Sequence, residues 1–187
     1  FHPLTLLVVE GGNMNISLYE ASVPVFSQLL GGTSSVLDKM SAHCAEKNID
    51  PSVLLNSRLF PNMYALGRQV QTACDWANNT CAWLGGVAPL AFTNDEKTAE
   101  ELKARIAKVI AFINVIDKAA IDAGAMREIS WKAGQNTRRM VGKDFLLHQA
   151  MPQFYFHQTA AYSILRHNGV ELAKRDFMGA VPRMTQS

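Results

Sequence analysis

From residue 94 the chain reads Asn94-Asp95-Glu96-Lys97-Thr98-Ala99-Glu100-Glu101-Leu102-Lys103-Ala104-Arg105-Ile106-Ala107-Lys108-Val109-Ile110-Ala111-Phe112-Ile113-Asn114-Val115-Ile116. Leu102, Ile106, Val109, Ile113 and Ile116 step by four, three, four and three, so an α-helix carries all five on one side. The Thr93-Asn94-Asp95-Glu96 opening places acidic groups where the helix dipole favours them. Glu100, Glu101, Lys103, Arg105 and Lys108 cover the opposite side and read as a solvated face. A helix with one apolar stripe has to bury it against other elements, and the neighbouring sequence supplies more of the same kind.

Upstream, a second helix is expected from about Asn62, just past Pro61, to Gly85-Gly86, with Met63, Leu66, Val70, Ala73, Ala77, Cys81 and Leu84 on one face. A first helix is expected from about Leu18 to Lys47, with Val23, Phe26, Leu30, Leu37, Met40 and Cys44 as its stripe. Gly31-Gly32 within it costs about 1 kcal/mol of helix propensity per glycine, which marks a bend or the close approach of another backbone. Asp50-Pro51 reads as the cap and first position of a short helical turn ending near Arg58. Downstream, Glu128-Ile129-Ser130-Trp131-Lys132 alternates with period two, Gly134-Gln135-Asn136 supplies turn chemistry, and Thr137 to Val141 follows, which predicts a small β-hairpin. A fourth helix is expected from Lys143 to His167 with Gly169 as its stop, apolar on more than one side and kinked at Pro152. The fold class is therefore all-α: an antiparallel four-helix bundle with a small hairpin between helices three and four.

Residues 1–13, with the apolar run Leu4 to Val9 followed by Gly11-Gly12, read as an expression remnant or an N-terminal extension, and residues 14–187 as a single helical-bundle domain beginning at Met14. A chain of 187 residues with 48% hydrophobic and 18% charged residues is apolar enough to build a core and excludes a disordered protein. A net charge of +2, with Arg138-Arg139 as the longest basic run, gives no basic face for nucleic acid. No apolar run reaches the length of a membrane span. Cys44, Cys74 and Cys81 lack the spacing of a disulfide framework or zinc knuckle and read as buried free thiols in a reducing, cytoplasmic setting.

Chemistry concentrates on the fourth helix, where His148, Gln153, His157, Tyr162 and His167 interrupt an apolar element. Gln153 and His157 are four apart and share a face, as do Gln71 and Asp75 on the second helix. His167 in the last turn is explained by capping alone. A buried Asp75 needs a partner, for which Arg58 and Arg68 are the candidates. The pocket candidates are thus Gln71, Asp75, Gln153, His157, His148 and Tyr162.

The run Ile16-Ser17-Leu18-Tyr19-Glu20-Ala21-Ser22-Val23-Pro24, the pieces Arg68-Gln69-Val70-Gln71 and Ala73-Cys74-Asp75, and above all Phe154-Tyr155-Phe156-His157 through Leu165-Arg166-His167-Asn168-Gly169-Val170 resemble a bacterial and fungal family of unknown function. That family is grouped with the DinB-like (damage-inducible) proteins. The resemblance implies a four-helix bundle, often dimeric, in which three histidines hold a metal, used in some members for thiol-dependent transfer or isomerisation. It implies a ligand on helix two and a His-x-x-x-His pair on helix four ahead of a Leu-Arg-x-x-Gly ending. Here His157 matches the second of the pair, Gln153 stands where the first would be, and helix two offers Gln71 or Asp75. A neutral amide is a weak zinc or nickel ligand beside imidazole, so no cofactor is predicted; a divalent metal, if bound, would use His157, Asp75 and Gln153. The expected protein is a metal-free small-molecule-binding or structural homodimer that binds neither nucleic acid nor membrane. The alternative is a metal-dependent or acid/base transferase or isomerase working around His157.

Overall fold

The computed structural model describes residues 15–184. Four long helices carry the core: α1 (Leu18–Lys47), α3 (Leu66–Gly85), α4 (Ala99–Val115) and α7 (Met151–His167). Shorter helices stand between and after them: α2 (Pro51–Leu55), α5 (Lys118–Ala123), α6 (Gly142–Phe145) and α8 (Lys174–Met178). The architecture is mainly helical with one antiparallel two-stranded sheet, β1 (Glu128–Ala133) and β2 (Asn136–Val141); α2 is the short turn expected after Asp50-Pro51 and α6 opens the expected fourth helix, while α5 and α8 were not in the sequence count of four. The reading of residues 1–13 lies outside the described residues.

Each long helix begins and ends for a local reason. Ser17 and Glu20 form a capping box at α1, with Ser17 Oγ accepting from the Glu20 amide at 3.2 Å. Thr98 and Glu101 do the same at α4, which is why that helix starts at Ala99 and not in the acidic run before it. α3 starts four residues later than expected because Asn62–Ala65 are not helical and the Leu66 amide donates to the Ser57 carbonyl at 3.0 Å. It ends at Gly86, whose φ of 71° suits a left-handed cap.

α7 is the continuation of α6 through a π-helical turn, Leu146–Ala150, in which the Met151 amide donates to the Leu146 carbonyl five residues back. Pro152 has no amide hydrogen, and its ring crowds the carbonyl four residues earlier, at His148. The widened turn just before it is the form the expected kink takes.

α3 lies against α7 and α4, and α1 against α4, α3 and α7. The stripes read from sequence are the core: Val23, Phe26, Leu30, Leu37, Leu66, Leu84, Leu102, Ile106 and Ile113 are all at most 1% exposed. α1 passes through Gly31-Gly32 without a break, and the second glycine marks a backbone contact instead. A Cβ on Gly32 would stand 3.0 Å from the Phe177 carbonyl and 3.2 Å from Gly179 Cα, so α8 sits directly on α1. Gln28 Nε2 donates to the Met178 carbonyl at 2.8 Å, and Lys39 pairs with Asp176 at 2.8 Å, fastening the same contact. Cys44, Cys74 and Cys81 are buried free thiols. Among the described residues no helix is long and apolar enough to cross a membrane.

Candidate functional site

Arg105 is buried, 2% exposed, where the sequence placed it on a solvated face. The correction has a simple geometric cause. Arg105 follows Leu102 by three and precedes Val109 by four, so it lies on the apolar stripe, and a guanidinium can be buried only where carboxylates meet it. Its Nη1 donates to both oxygens of Glu96, at 2.9 and 3.2 Å, and its Nη2 donates to Asp75 Oδ1. The guanidinium also lies 4.1 Å from the centre of the Phe92 ring. Asp75 therefore has the partner it needs, supplied by α4 and not by Arg58 or Arg68. Burial still pushes its carboxyl above the usual range, outweighing the pull of Arg105.

Gln71 joins the same cluster, its Nε2 donating to Glu96 Oε2 at 2.9 Å while its Oε1 accepts from Arg68 at 3.3 Å. Beside it Asn78 clasps the α3–α4 loop by two bonds to Leu90, donating to the carbonyl at 2.9 Å and accepting from the amide at 3.1 Å. Glu96 and Leu90 thus tie that loop back onto α3. These residues stabilise the packing of α3 against α4.

His157 lies 7% exposed on α7, with Nδ1 2.7 Å from Gln69 Oε1. Gln69 Nε2 donates to the Tyr64 carbonyl at 3.1 Å, which turns Oε1 toward the histidine and makes Nδ1 the protonated nitrogen. The Tyr64 ring lies near-parallel to the imidazole, centroids 6.1 Å apart. Burial, helped by the Arg68 charge, lowers the His157 pKa to about 4, so the ring is neutral near pH 7. Gln69 was not among the sequence candidates, although its place on the apolar border of α3 was visible.

The six pocket candidates do not form one site. Gln71 and Asp75 meet at Arg105, His157 meets Gln69, and Gln153 is half-buried one turn before His157. His148 is exposed on the π turn, and Tyr162 packs edge-on against Phe177, centroids 5.9 Å apart. Among the described residues no three His, Cys, Asp or Glu side chains gather closely enough to hold a metal ion. Of the three implied ligands only the His157 imidazole is a strong donor: one Asp75 oxygen is held by Arg105, and Gln153 offers a neutral amide. This set does not fit the metal that the resemblance implies.

A second feature was not anticipated as a site. Asp75, Trp76, Asn79 and Trp83 form one stripe of α3 and, with Ser130, Trp131, Lys132 and Thr137 of the hairpin, line a cleft of about 430 Å³. All three tryptophans of the chain are there. Their rings surround Phe145, at 6.3 Å for Trp76, 5.8 Å for Trp83 and 5.1 Å for Trp131. The hairpin is held in place at its base. Arg127 donates to the Trp83 and Leu84 carbonyls at the end of α3, and the Gly142 amide donates to the Arg127 carbonyl at 2.8 Å. Gly124 and Gly142 leave no room for a side chain there, since a Cβ on Gly142 would collide with the Gly124 carbonyl. The spacing of Trp76 and Trp83, seven apart, was readable in the sequence; that Trp131 would face them was not.

The profile of a domain of unknown function (DUF1993) matches residues 18–178 of the chain. The chain belongs to the DUF1993 family. A crystal structure of a DinB family member protein from Shewanella denitrificans is similar to this DUF1993 protein at 38% identity. The match covers 90% of this chain and 96% of that one, with a TM-score of 0.84. The DinB-like resemblance carried by the Phe154–Val170 segment is therefore correct. No curated protein matches the chain.

Proposed function

We propose that this DUF1993 protein binds a small molecule, without a resident metal, in the tryptophan cleft between α3 and the hairpin. The observation that carries the reading is the convergence of all three tryptophans and Asp75 on one cleft of about 430 Å³. That volume falls in the range of roughly 300–1,000 Å³ usual for ligand sites, and aromatic walls with few polar groups are their usual lining. Asp75 is the sequence candidate that the reading keeps. Gln71 serves to hold the Arg105 cluster, and His157 with Gln69 serves as a satisfied polar contact between α7 and α3.

The three indole N–H signals of a ¹⁵N spectrum give a direct test. Small aromatic compounds of differing charge, added one at a time, are expected to include members that move all three signals together and saturably. A Trp131→Ala variant should lose that response while keeping its helical spectrum. Compounds that bind yet leave the indoles unmoved would place the ligand elsewhere and sink the reading.

The same DinB-like frame supports a homodimer. Tyr155 and Phe156 on α7 are 40% and 56% exposed, and Leu59, itself 40% exposed, and Met63 line a shallow groove with them. Adjacent exposed aromatics suit an interface between subunits. Light scattering on the full chain is expected to give twice the chain mass, and Phe156→Glu to give a monomer; a monomer in both would dispose of the dimer.

A further inference from the structure

We infer that the ligand of the tryptophan cleft is a zwitterion, an α-amino acid with an aromatic or large apolar side chain, and this rests on the binding reading above. The cleft carries one acidic and one basic side chain, on different walls: Asp75 from α3 and Lys132 from β1. Neither is fully neutralised. Arg105, the partner of Asp75, is shared with Glu96, so one guanidinium serves two carboxylates, and the Asp75 side chain remains 29% exposed. Among the described residues no carboxylate lies within ion-pair distance of Lys132; of the other hairpin charges, Glu128 and Arg139 pair with each other at 3.8 Å, and Arg138 stands opposite Trp131 in the register.

Four ligand classes can be weighed against that pair of charges. A cation would meet Asp75 but face Lys132, and an anion would meet Lys132 but face Asp75. A neutral aromatic would stack on the indoles and leave both charges to water. A ligand carrying an ammonium and a carboxylate on one carbon meets both, while its side chain lies among Trp76, Trp83 and Trp131 above Phe145. Ser130, Thr137 and Asn79 line the same cleft and can bond the ammonium and carboxylate edges. Arg68 also acts on Asp75 from the α3 side, and it is engaged with Gln71.

The experiment titrates the full chain at pH 7 with four probes: phenylalanine, phenethylamine, 3-phenylpropanoate and N-acetyl-phenylalaninamide. Indole N–H shifts and calorimetry give the dissociation constants. Phenylalanine is expected to bind about tenfold tighter than each single-charge probe, the value of one charge-assisted hydrogen bond. Lys132→Gln should erase its advantage over phenethylamine, and Asp75→Asn its advantage over 3-phenylpropanoate. Should Asp75→Asn fail to fold, Lys132→Gln decides alone, because Lys132 is exposed and lies outside the core. Equal binding of all four probes, or tightest binding of the N-acetyl amide, overturns the zwitterion and leaves the binding cleft standing. Indole signals unmoved by any of the four overturn both.

Discussion

Replacing Arg105 with methionine keeps an apolar stem on the Leu102–Val109 stripe but removes the charge between Asp75 and Glu96. Two half-buried carboxylates are then left without a counter-ion, and a loss of about 3 kcal/mol is expected in urea unfolding. The control is Lys108→Met on the exposed face of the same helix, which should stay within about 0.5 kcal/mol of the parent. Equal effects would mean that the guanidinium stabilises nothing. His157 gives the residue-scale prediction with a pH sign. Its folded pKa of about 4 lies below the ordinary value of 6.5, so the unfolded chain binds the proton more tightly. Its contribution to stability is therefore whole above about pH 6.5 and falls away as the pH drops toward 4, by about 2–3 kcal/mol in total. The check is the difference in unfolding free energy between parent and His157→Gln at pH 7.5 and pH 4.5. The parent should lose more on acidification, and parallel losses would remove His157 as the cause. Arg105 and His157 also mark how far side chains were readable. A polar residue on an apolar stripe was visible for His157 and missed for Arg105, because the acidic and basic letters around Arg105 resemble a solvated face. Its two partners stand nine and thirty residues away, and only the packing of α3 on α4 brings them together.

At the scale of elements, apolar periodicity located the long helices because the same three-four spacing that makes a stripe makes a core. α1 was read to its observed ends, since Ser17–Glu20 and Asn48 bound it locally. The hairpin was read from alternation and Gly134 in the same way. The short helices α5 and α8 were not readable, being too brief to show a period; they exist because long helices offer them a surface. α8 shows this most directly. Gly32→Val would push a side chain into the Phe177 carbonyl, and α8 should lift from α1. Hydrogen exchange at residues 174–178 is expected to lose its protection while α3 and α4 keep theirs, with a stability cost of about 1–3 kcal/mol. Unchanged exchange in α8 would show that the close approach is not what seats it.

Across the whole molecule, the family resemblance, carried by the Phe154–Val170 segment, and the core pattern, carried by the helix stripes, pointed to the same helical frame, whereas the cleft depended on a contact between α3 and a hairpin some fifty residues downstream. No local pattern in Trp76, Trp83 or Trp131 says that they meet. The buried cysteines give the fold a use of another kind. Cys44 stands on α1, Cys74 and Cys81 on α3, each at most 1% exposed, and burial raises all three thiols, Cys74 to about 12 and Cys81 well above the usual thiol range. A thiolate-seeking reagent can reach them only when the helices part. The rate of modification thus becomes a clock for opening, read separately on two helices without any engineered label. Synchronous loss of all three thiols would mean that the molecule opens as one body, and earlier loss of Cys44 that α1 breathes before α3 does.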